Sequence, residues 1–499
     1  MKPFEPMLAF DLGNSGGRAQ WGQFDGQKLQ FEEIHKFRNG PVRIGERWYW
    51  DILRIFEEMQ NGLRQATVRA GVRSFSAGVD TWGVDYGLLD ATGELMAPIH
   101  HHRDPRTDDL YPEIFAKVAK QDIYQLTGIM FIQFNTLVQL FADLRTRPWL
   151  LENSRALLFI PDLFNYFLSG VRFSEITIAS TSQFFDPSRK TWALPIFQSL
   201  GLPTRLLQPI VRPGTAIGPL LPALKRNMGL EADISIIAVG SHDTASAWAA
   251  TPLARDRPSA LISVGTWSLL GMELDRPNLS EAARAWNFTN ECGVNETIVF
   301  HKIIGGLWLI QECRRCWQQA GQPLRYEQIH QAAARAQPLK FLFDPDDKRF
   351  LNPAHMPEAI RRYFKDKRLP APEGVAPIAR SIYESLALNY RLAVAGMEQI
   401  TGRPIEVIHI VGGGAQAKLL CQFTADATGK HVIAGPVEAT TVGNMLSQLQ
   451  ARGELKDLSE GREIVRRSFA LQAYAPHDTA AWDEAFGRFR ALVDHRDRL

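Results

Sequence analysis

The stretch "MLAFDLGNSGGRAQWGQF", residues 7–24, constrains the fold more than any other part of the chain. An apolar run from Met7 to Phe10 meets Asp11 and then a turn with three glycines in five positions. After the turn, Arg18–Phe24 alternates as a strand, Asp25-Gly26 turns again, and Lys28–His35 reads as a third strand. A dinucleotide-binding or P-loop unit needs a helix after its glycine turn, and no G-x-x-x-x-G-K-[ST] occurs in the chain, so this order argues against both. What remains is a strand meander with a carboxylate beside backbone stripped of side chains.

The same device returns in the second half. "ALISVGTWSLLGMEL" is an apolar strand, a Gly265-Thr266 turn and a second strand, a faint internal duplication of the opening. Between the two lie a predicted helix over Asp51–Arg69 and a strand from Ser74 to Val79 running into Asp80-Thr81-Trp82-Gly83. Further on, an apolar strand breaks at Gly240, with a small-residue helix starting near Thr244. A third glycine turn, Gly412-Gly413-Gly414, follows the strand "EVIHIV" and opens a helix over "AQAKLLCQFTADATG". Pro, Arg and Asp gather in "TPLARDRPSA", residues 251–260, and the domain boundary is placed there, giving domains 1–250 and 251–499.

Bare turns suit phosphates, because glycine lets backbone N–H groups approach an oxyanion with no Cβ in the way. A carboxylate beside such a turn repels phosphate unless a cation lies between them. Mg²⁺, which keeps several of its waters when bound by phosphates, supplies that cation. Asp11 then organises the metal or its waters while Asn14, Ser15, Gly16, Gly17 and Arg18 cradle the phosphates.

Composition narrows the partners. With 56 Lys and Arg against 54 Asp and Glu, the 499 residues carry a formal charge of +2 and show no basic run interleaved with aromatics, so a small molecule is expected and nucleic acid is not. No apolar run approaches a membrane span, and Met1–Phe10 is too short and too Pro-interrupted for a signal peptide. Four cysteines cannot build a disulfide framework in a chain of this size, and a cytoplasmic setting is expected. Cys313 and Cys316 form a C-x-x-C, but on a predicted helix with no second Cys/His pair nearby. His100, His101 and His102 lie in a segment predicted to be extended, where neighbours point to opposite faces, and are not read as ligands.

The set "DLGNSGGR", "GVDTWGVD", "SHDTASA", "SVGTWSL" and "HIVGGGAQ", in this order, resembles the FGGY family of carbohydrate kinases from Leu8 to about Gln450. The resemblance implies an α/β chain of two actin-like, ribonuclease-H-like domains with an ATP and sugar cleft between them. It also implies ATP- and Mg²⁺-dependent phosphorylation of a ketose, L-rhamnulose at O1. Phosphorylation of another ketose, L-fuculose or a ketopentose, and a non-kinase actin-like ATPase are the alternative readings.

By the same resemblance, Asp243 is the base that takes the proton from the attacking hydroxyl, and Gly83, His242, Asp243 and Thr244 contact the sugar. Gly265 and Thr266 form the second phosphate turn. Gln311 and the glycines Gly412, Gly413 and Gly414 lie on the nucleotide side. Trp82 offers an apolar face to a deoxysugar methyl group but equally suits a core, and Asp80 is read either as lining the sugar site or as ending a strand. One departure stands out. Where a sugar-contacting Asn is expected, Lys302-Ile303-Ile304-Gly305-Gly306-Leu307-Trp308 has Ile303, which cannot make that hydrogen bond. Oligomeric state is left open.

Overall fold

The opening turn is tighter than the sequence pattern suggests. β1 (Met7–Leu12) runs two residues past Phe10 and pairs antiparallel with β2 (Gly16–Phe24), Asp11 opposite Arg18 and Leu12 opposite Gly17. Gly16 and Gly17 are therefore strand residues, and only Gly13, Asn14 and Ser15 turn. β2 pairs in turn with β3 (Leu29–Arg38). There the Phe37 ring occupies the space of a Gly17 side chain, since a Cβ on Gly17 would lie 2.2 Å from Phe37 Cζ. The computed structural model describes residues 5–71, 74–253 and 257–493, so 254–256 of the boundary stretch and the first four residues of the Met1–Phe10 stretch lie outside it.

α1 (Ile52–Ala70) begins where predicted. The Asp51 side chain caps it by accepting from Arg54 N, and Ile52, Ile55, Met59, Leu63 and Ala66 recur at helical spacing on its buried face. β4 (Ser74–Thr81) lies parallel to β1, with Asp80 beside Asp11. After α2 (Ile160–Ser169) and α3 (Ile176–Ala179), β5 (Thr215–Pro219) pairs antiparallel with β6 (Asp233–Ala238), which lies parallel to β4 and leads into α4 (Asp243–Ala249). Among the described residues these strands form one six-stranded sheet in the order β5-β6-β4-β1-β2-β3. An antiparallel meander continued by two parallel strands is the ribonuclease-H-type order. A core of Leu8, Phe10, Trp21, Phe75, Val79 and Ile236 packs it.

β7 (Ser259–Val264) and β8 (Trp267–Leu274) repeat the antiparallel pair around Gly265-Thr266. They are followed by β9 (Thr289–Cys292), β10 (Ile298–Gly305), α5 (Trp308–Gln319) and the long α6 (Val375–Thr401). β11 (Val407–Val411) lies parallel to β7. The triple glycine after it is a 3-10 turn, Gly412–Gln416, and α7 (Lys418–Thr428) starts only beyond it. β12 (His431–Ala434), α8 (Ala439–Ala451), α9 (Leu458–Ser468) and β13 (Gln472–Tyr474) follow. Five strands of the second sheet run in the order β8-β7-β11-β12-β13.

The chain divides into two compact units, and neither is continuous in sequence. The first comprises 1–250, 273–300 and 439–468; the second comprises 251–272, 301–438 and 469–499. The Ala250/Thr251 junction is the first crossing between units. β9, α8 and α9 pack in the first unit. The physical reason is in α8. A Cβ on Gly443 would lie 1.8 Å from Ser246 O, so α8 presses its bare backbone onto α4, and Gly78 clears a similar space on β4 for Asn444.

Candidate active site

In the first unit the residues singled out from the sequence meet at the carboxyl ends of β1, β4 and β6, where ligands of parallel sheets sit. Parallel register puts the Asp11 and Asp80 side chains on one face. Thr81 N donates to Ser241 O at 2.9 Å, tying the end of β4 to the residue before His242. The turn between β1 and β2 is fastened by Gly13 N donating to Gly16 O and by Asn39 Nδ2 donating to Gly13 O, both at 2.9 Å. Asn14 Oδ1 is buried there without a hydrogen-bond partner, while Ser15 is exposed. Arg18 leans from the turn to Glu33, with Nε 3.6 Å from Oε2.

Asp80 is fully buried. Its Oδ2 accepts from Asn444 Nδ2 at 2.6 Å, while Oδ1 has no hydrogen-bond partner. Burial pushes its carboxyl well above the usual carboxylate range, and the Asp11 and Asp243 carboxylates push it further against the Asn444 hydrogen bond. Asn444 is aimed by a polar ladder. Ser76 Oγ donates to Gln448 Oε1 at 2.7 Å, and Gln448 Nε2 donates to Asn444 Oδ1 at 2.8 Å and to Leu8 O at 3.0 Å. Asp80 thus takes a structural place at a strand end, with one carboxylate oxygen left over.

Asp243 is the first residue of α4, and its side chain keeps 34% of its exposure. Its Oδ1 accepts from Thr244 N at 2.6 Å and from Thr244 Oγ1 at 3.1 Å, leaving Oδ2 for a ligand. Desolvation raises its pKa, opposed first by His242. His242 is 8% exposed and lies between two carboxylates, Nε2 3.4 Å from Asp243 Oδ1 and Nδ1 3.1 Å from Glu291 Oε2. Burial works against a charged imidazole, yet its pKa is raised because Glu291 first, and then Asp243, favour the cation. Gly83 packs on this ring: a Cβ there would lie 3.2 Å from His242 Nε2.

Glu175 fixes the backbone of this segment. Its carboxylate accepts from Thr177 N, Ile178 N and Ser241 N, and His242 N donates to Thr177 Oγ1 at 3.2 Å. Burial pushes the Glu175 carboxyl up to about 7.

Trp82 belongs to the core. It is 3% exposed, stacks on Trp50 at 4.0 Å between centroids, and donates from Nε1 to Asp85 Oδ2 at 2.9 Å. Asp85 also accepts from Trp50 Nε1 and Gln139 Nε2 and pairs with His102 Nδ1. The three histidines are buried and do not alternate between faces. Asp104 N donates to His101 O in a turn, and that turn brings the rings of His101 and His102 to 4.2 Å. They pair with separate carboxylates, His100 with Asp104 and His102 with Asp85, and share no ligand set. Among the described residues no group of three or more His, Cys, Asp and Glu side chains converges as a metal cage.

In the second unit the selected residues gather around the end of β7. Gly265 is exposed, its N–H donating to Trp267 O at 2.9 Å and its carbonyl accepting from Leu307 N at 2.9 Å, and Trp308 N donates to Thr266 O at 3.2 Å. Gln311 stands one turn farther along α5, partly exposed. The three adjacent glycines differ in kind. Gly412 has φ +75°, Gly413 is exposed, a Cβ there lying 4.0 Å from Val264 O, and Gly414 is buried against Val264, which a Cβ would approach to 2.2 Å. Gly414 is therefore bare for packing and Gly413 for access. Asp346 accepts from Gly305 N at 2.5 Å and from Asn389 Nδ2 at 3.0 Å, fixing the run that carries Ile303, itself partly exposed on β10. Cys313 and Cys316 are both buried on α5 as free thiols.

Glu291, Glu175, Asn444 and Asp346 carry no sequence signal of their own, since each acquires its place only through long-range packing.

The profile for the N-terminal domain of the FGGY family of carbohydrate kinases matches residues 6–249, and that for the C-terminal domain matches 260–452. The chain belongs to the FGGY family of carbohydrate kinases. A protein of Bacteroides thetaiotaomicron named rhamnulokinase is 40% identical over 486 residues, 97% of this chain and 99% of that protein. One of Bacillus subtilis with the same name is 38% identical over 470 residues, 94% of this chain and 95% of its own. Among solved structures, a gluconate kinase from Lactobacillus acidophilus superposes with a TM-score of 0.81 at 15% identity, covering 99% of this chain and 98% of its own. At that identity the likeness speaks for the fold, the two-domain actin-like α/β architecture. The chain is a carbohydrate kinase by family, and ATP is the phosphoryl donor that family membership implies. Among the described residues no helix is long and apolar enough to cross a membrane.

Proposed function

We propose that the protein phosphorylates L-rhamnulose at O1 with ATP, yielding L-rhamnulose 1-phosphate and ADP. Asp243 carries this reading: a partly exposed carboxylate with one oxygen unengaged, beside a buried histidine that a second carboxylate holds. The sugar hydroxyl oxygen forms the new bond to the γ-phosphorus, the bond from γ-phosphorus to the bridging oxygen breaks, and the hydroxyl proton passes to Asp243. The phosphoryl transition state is loose, so aiming the hydroxyl matters at least as much as removing its proton. His242 Nε2 lies farther from Asp243 than a good hydrogen bond, which leaves its N–H able to donate to a sugar oxygen entering between them. Gly83 keeps the space before that ring open.

In the first unit Asn14 to Arg18 are assigned to phosphate; in the second, Gly265 and Thr266 are assigned to phosphate, and Gly412, Gly413 and Gly414 with Gln311 to the nucleoside. The acidic face of Asp11 and Asp80, with the orphaned Asp80 Oδ1 and Asn14 Oδ1, fits a hard cation with oxygen ligands. Asp11 would hold Mg²⁺, which when bound neutralises phosphate charge. A cytoplasmic setting agrees with the buried free thiols.

The test is a panel of free sugars in an ATP-coupled assay with wild type and Asp243→Asn. L-Rhamnulose is expected to give the highest kcat/KM, and the variant to lose turnover by on the order of 10³-fold while still binding ATP. ATP turnover indifferent to sugar points to a non-kinase ATPase. A preference for L-fuculose or a ketopentose replaces the substrate.

A further inference from the structure

His242 has a carboxylate oxygen near each ring nitrogen, Glu291 Oε2 3.1 Å from Nδ1 and Asp243 Oδ1 3.4 Å from Nε2, as ion-pair contacts and not as aligned hydrogen bonds. A neutral imidazole has one N–H and one lone pair, so one of these contacts would set a lone pair against a carboxylate; only the doubly protonated ring satisfies both. Glu291 lies on β9, in the segment 273–300 that returns to the first unit, and is itself 6% exposed. Burial of both residues strengthens the attraction between their charges.

We propose that Glu291 is a positioning residue for phosphoryl transfer: it keeps His242 as an imidazolium whose positive charge, 3.4 Å from Asp243, holds that carboxylate ionised while Nε2–H stays available to the sugar. This rests on Asp243 being the base. Among the described residues, the charged groups facing the ring are Glu291 from β9, Asp243 on its own element, and Glu175, whose carboxylate accepts from Ser241 N. All are acidic and all favour the cation. The Cys292 thiol beside Glu291 is pushed up to about 12 by burial and stays neutral. When pH rises far enough to discharge His242, the Nδ1 proton stays on the Glu291 side and Nε2 loses its own. Attraction toward Asp243 then becomes lone-pair repulsion, and the carboxylate is displaced.

The experiment combines ¹⁵N-histidine NMR with pH profiles of kcat/KM for wild type, Glu291→Gln and Glu291→Asp, the His242 signal being assigned by its loss in His242→Gln. Wild type is expected to show both His242 nitrogens protonated at neutral pH and Glu291→Gln a neutral ring. The alkaline limb of kcat/KM moves down by about one pH unit or more in Glu291→Gln and partly returns in Glu291→Asp. A purely structural Glu291 would lower the unfolding midpoint and scale kcat/KM equally at every pH.

A neutral His242 in wild type overturns the proposal, as does a Glu291→Gln enzyme that folds, binds ATP and keeps both spectrum and limb unchanged. Should Glu291→Gln not fold, the wild-type spectrum decides alone. The spectrum is read without turnover, so an imidazolium in a protein lacking sugar kinase activity, or active as Asp243→Asn, refutes the base assignment instead.

Discussion

Asn444 reaches across 364 residues of sequence to donate to Asp80 Oδ2 at 2.6 Å, and it is the hydrogen-bond donor that this buried carboxyl has among the described residues. Replacing Asn444 with Ala leaves both oxygens unpartnered, and the unfolding free energy is expected to fall by about 2 kcal/mol. Asn444→Asp sets two carboxyls together. One shared proton lets them hydrogen-bond, so its loss is smaller at acid than at alkaline pH. Urea unfolding at two pH values measures both.

Gly443→Ala drives a Cβ onto Ser246 O, a backbone atom of the helix that Asp243 begins. No rotamer relieves such a contact, so α8 and α4 must separate. A stability loss of about 3 kcal/mol is expected, at the upper end for overpacking. kcat should fall as well, because α4 moves with the base. Thermal unfolding and steady-state kinetics read the two effects, and a variant with native melting and full kcat would contradict the contact.

Glu175 binds its proton more tightly in the folded protein than in the unfolded chain, at about 7 against 4.5. The stability it lends is complete below the unfolded value and is lost as pH rises through 7. The swing is about 3 kcal/mol between those limits. Glu175→Gln removes the titration, so wild type should weaken relative to the variant from pH 5 to pH 8, as measured by unfolding at each pH. A constant difference would refute the assignment.

Ile303 stands where a sugar-binding asparagine was expected. Ile303→Asn is predicted to shift the ratio of kcat/KM between L-rhamnulose and L-fuculose by about tenfold, the effect of one polar contact made or left unpaired. An unchanged ratio would remove Ile303 from the account of specificity.

Both strand-turn-strand units, the capped helix after Asp51 and the placing of Asp243 at a helix start were legible because each depends on a few neighbouring residues. β1 ran longer than its apolar run because Asp11 and Leu12 pair with Arg18 and Gly17, which hydropathy does not record. His101 and His102 meet because a turn forms where extension was expected. Glu291 was invisible for a different reason. A carboxylate between Asn290 and Cys292 has no distinguishing spacing, and only the return of its strand to the first unit brings it to His242.

That return also bears on synthesis of the chain. The strand bearing Asp80 leaves the ribosome long before Asn444 is made, and at roughly 5–20 residues per second the interval is roughly twenty seconds to a minute. Through that time the nascent first unit lacks α8, and the buried Asp80 carboxyl waits for its Asn444 donor until nearly 450 residues have emerged.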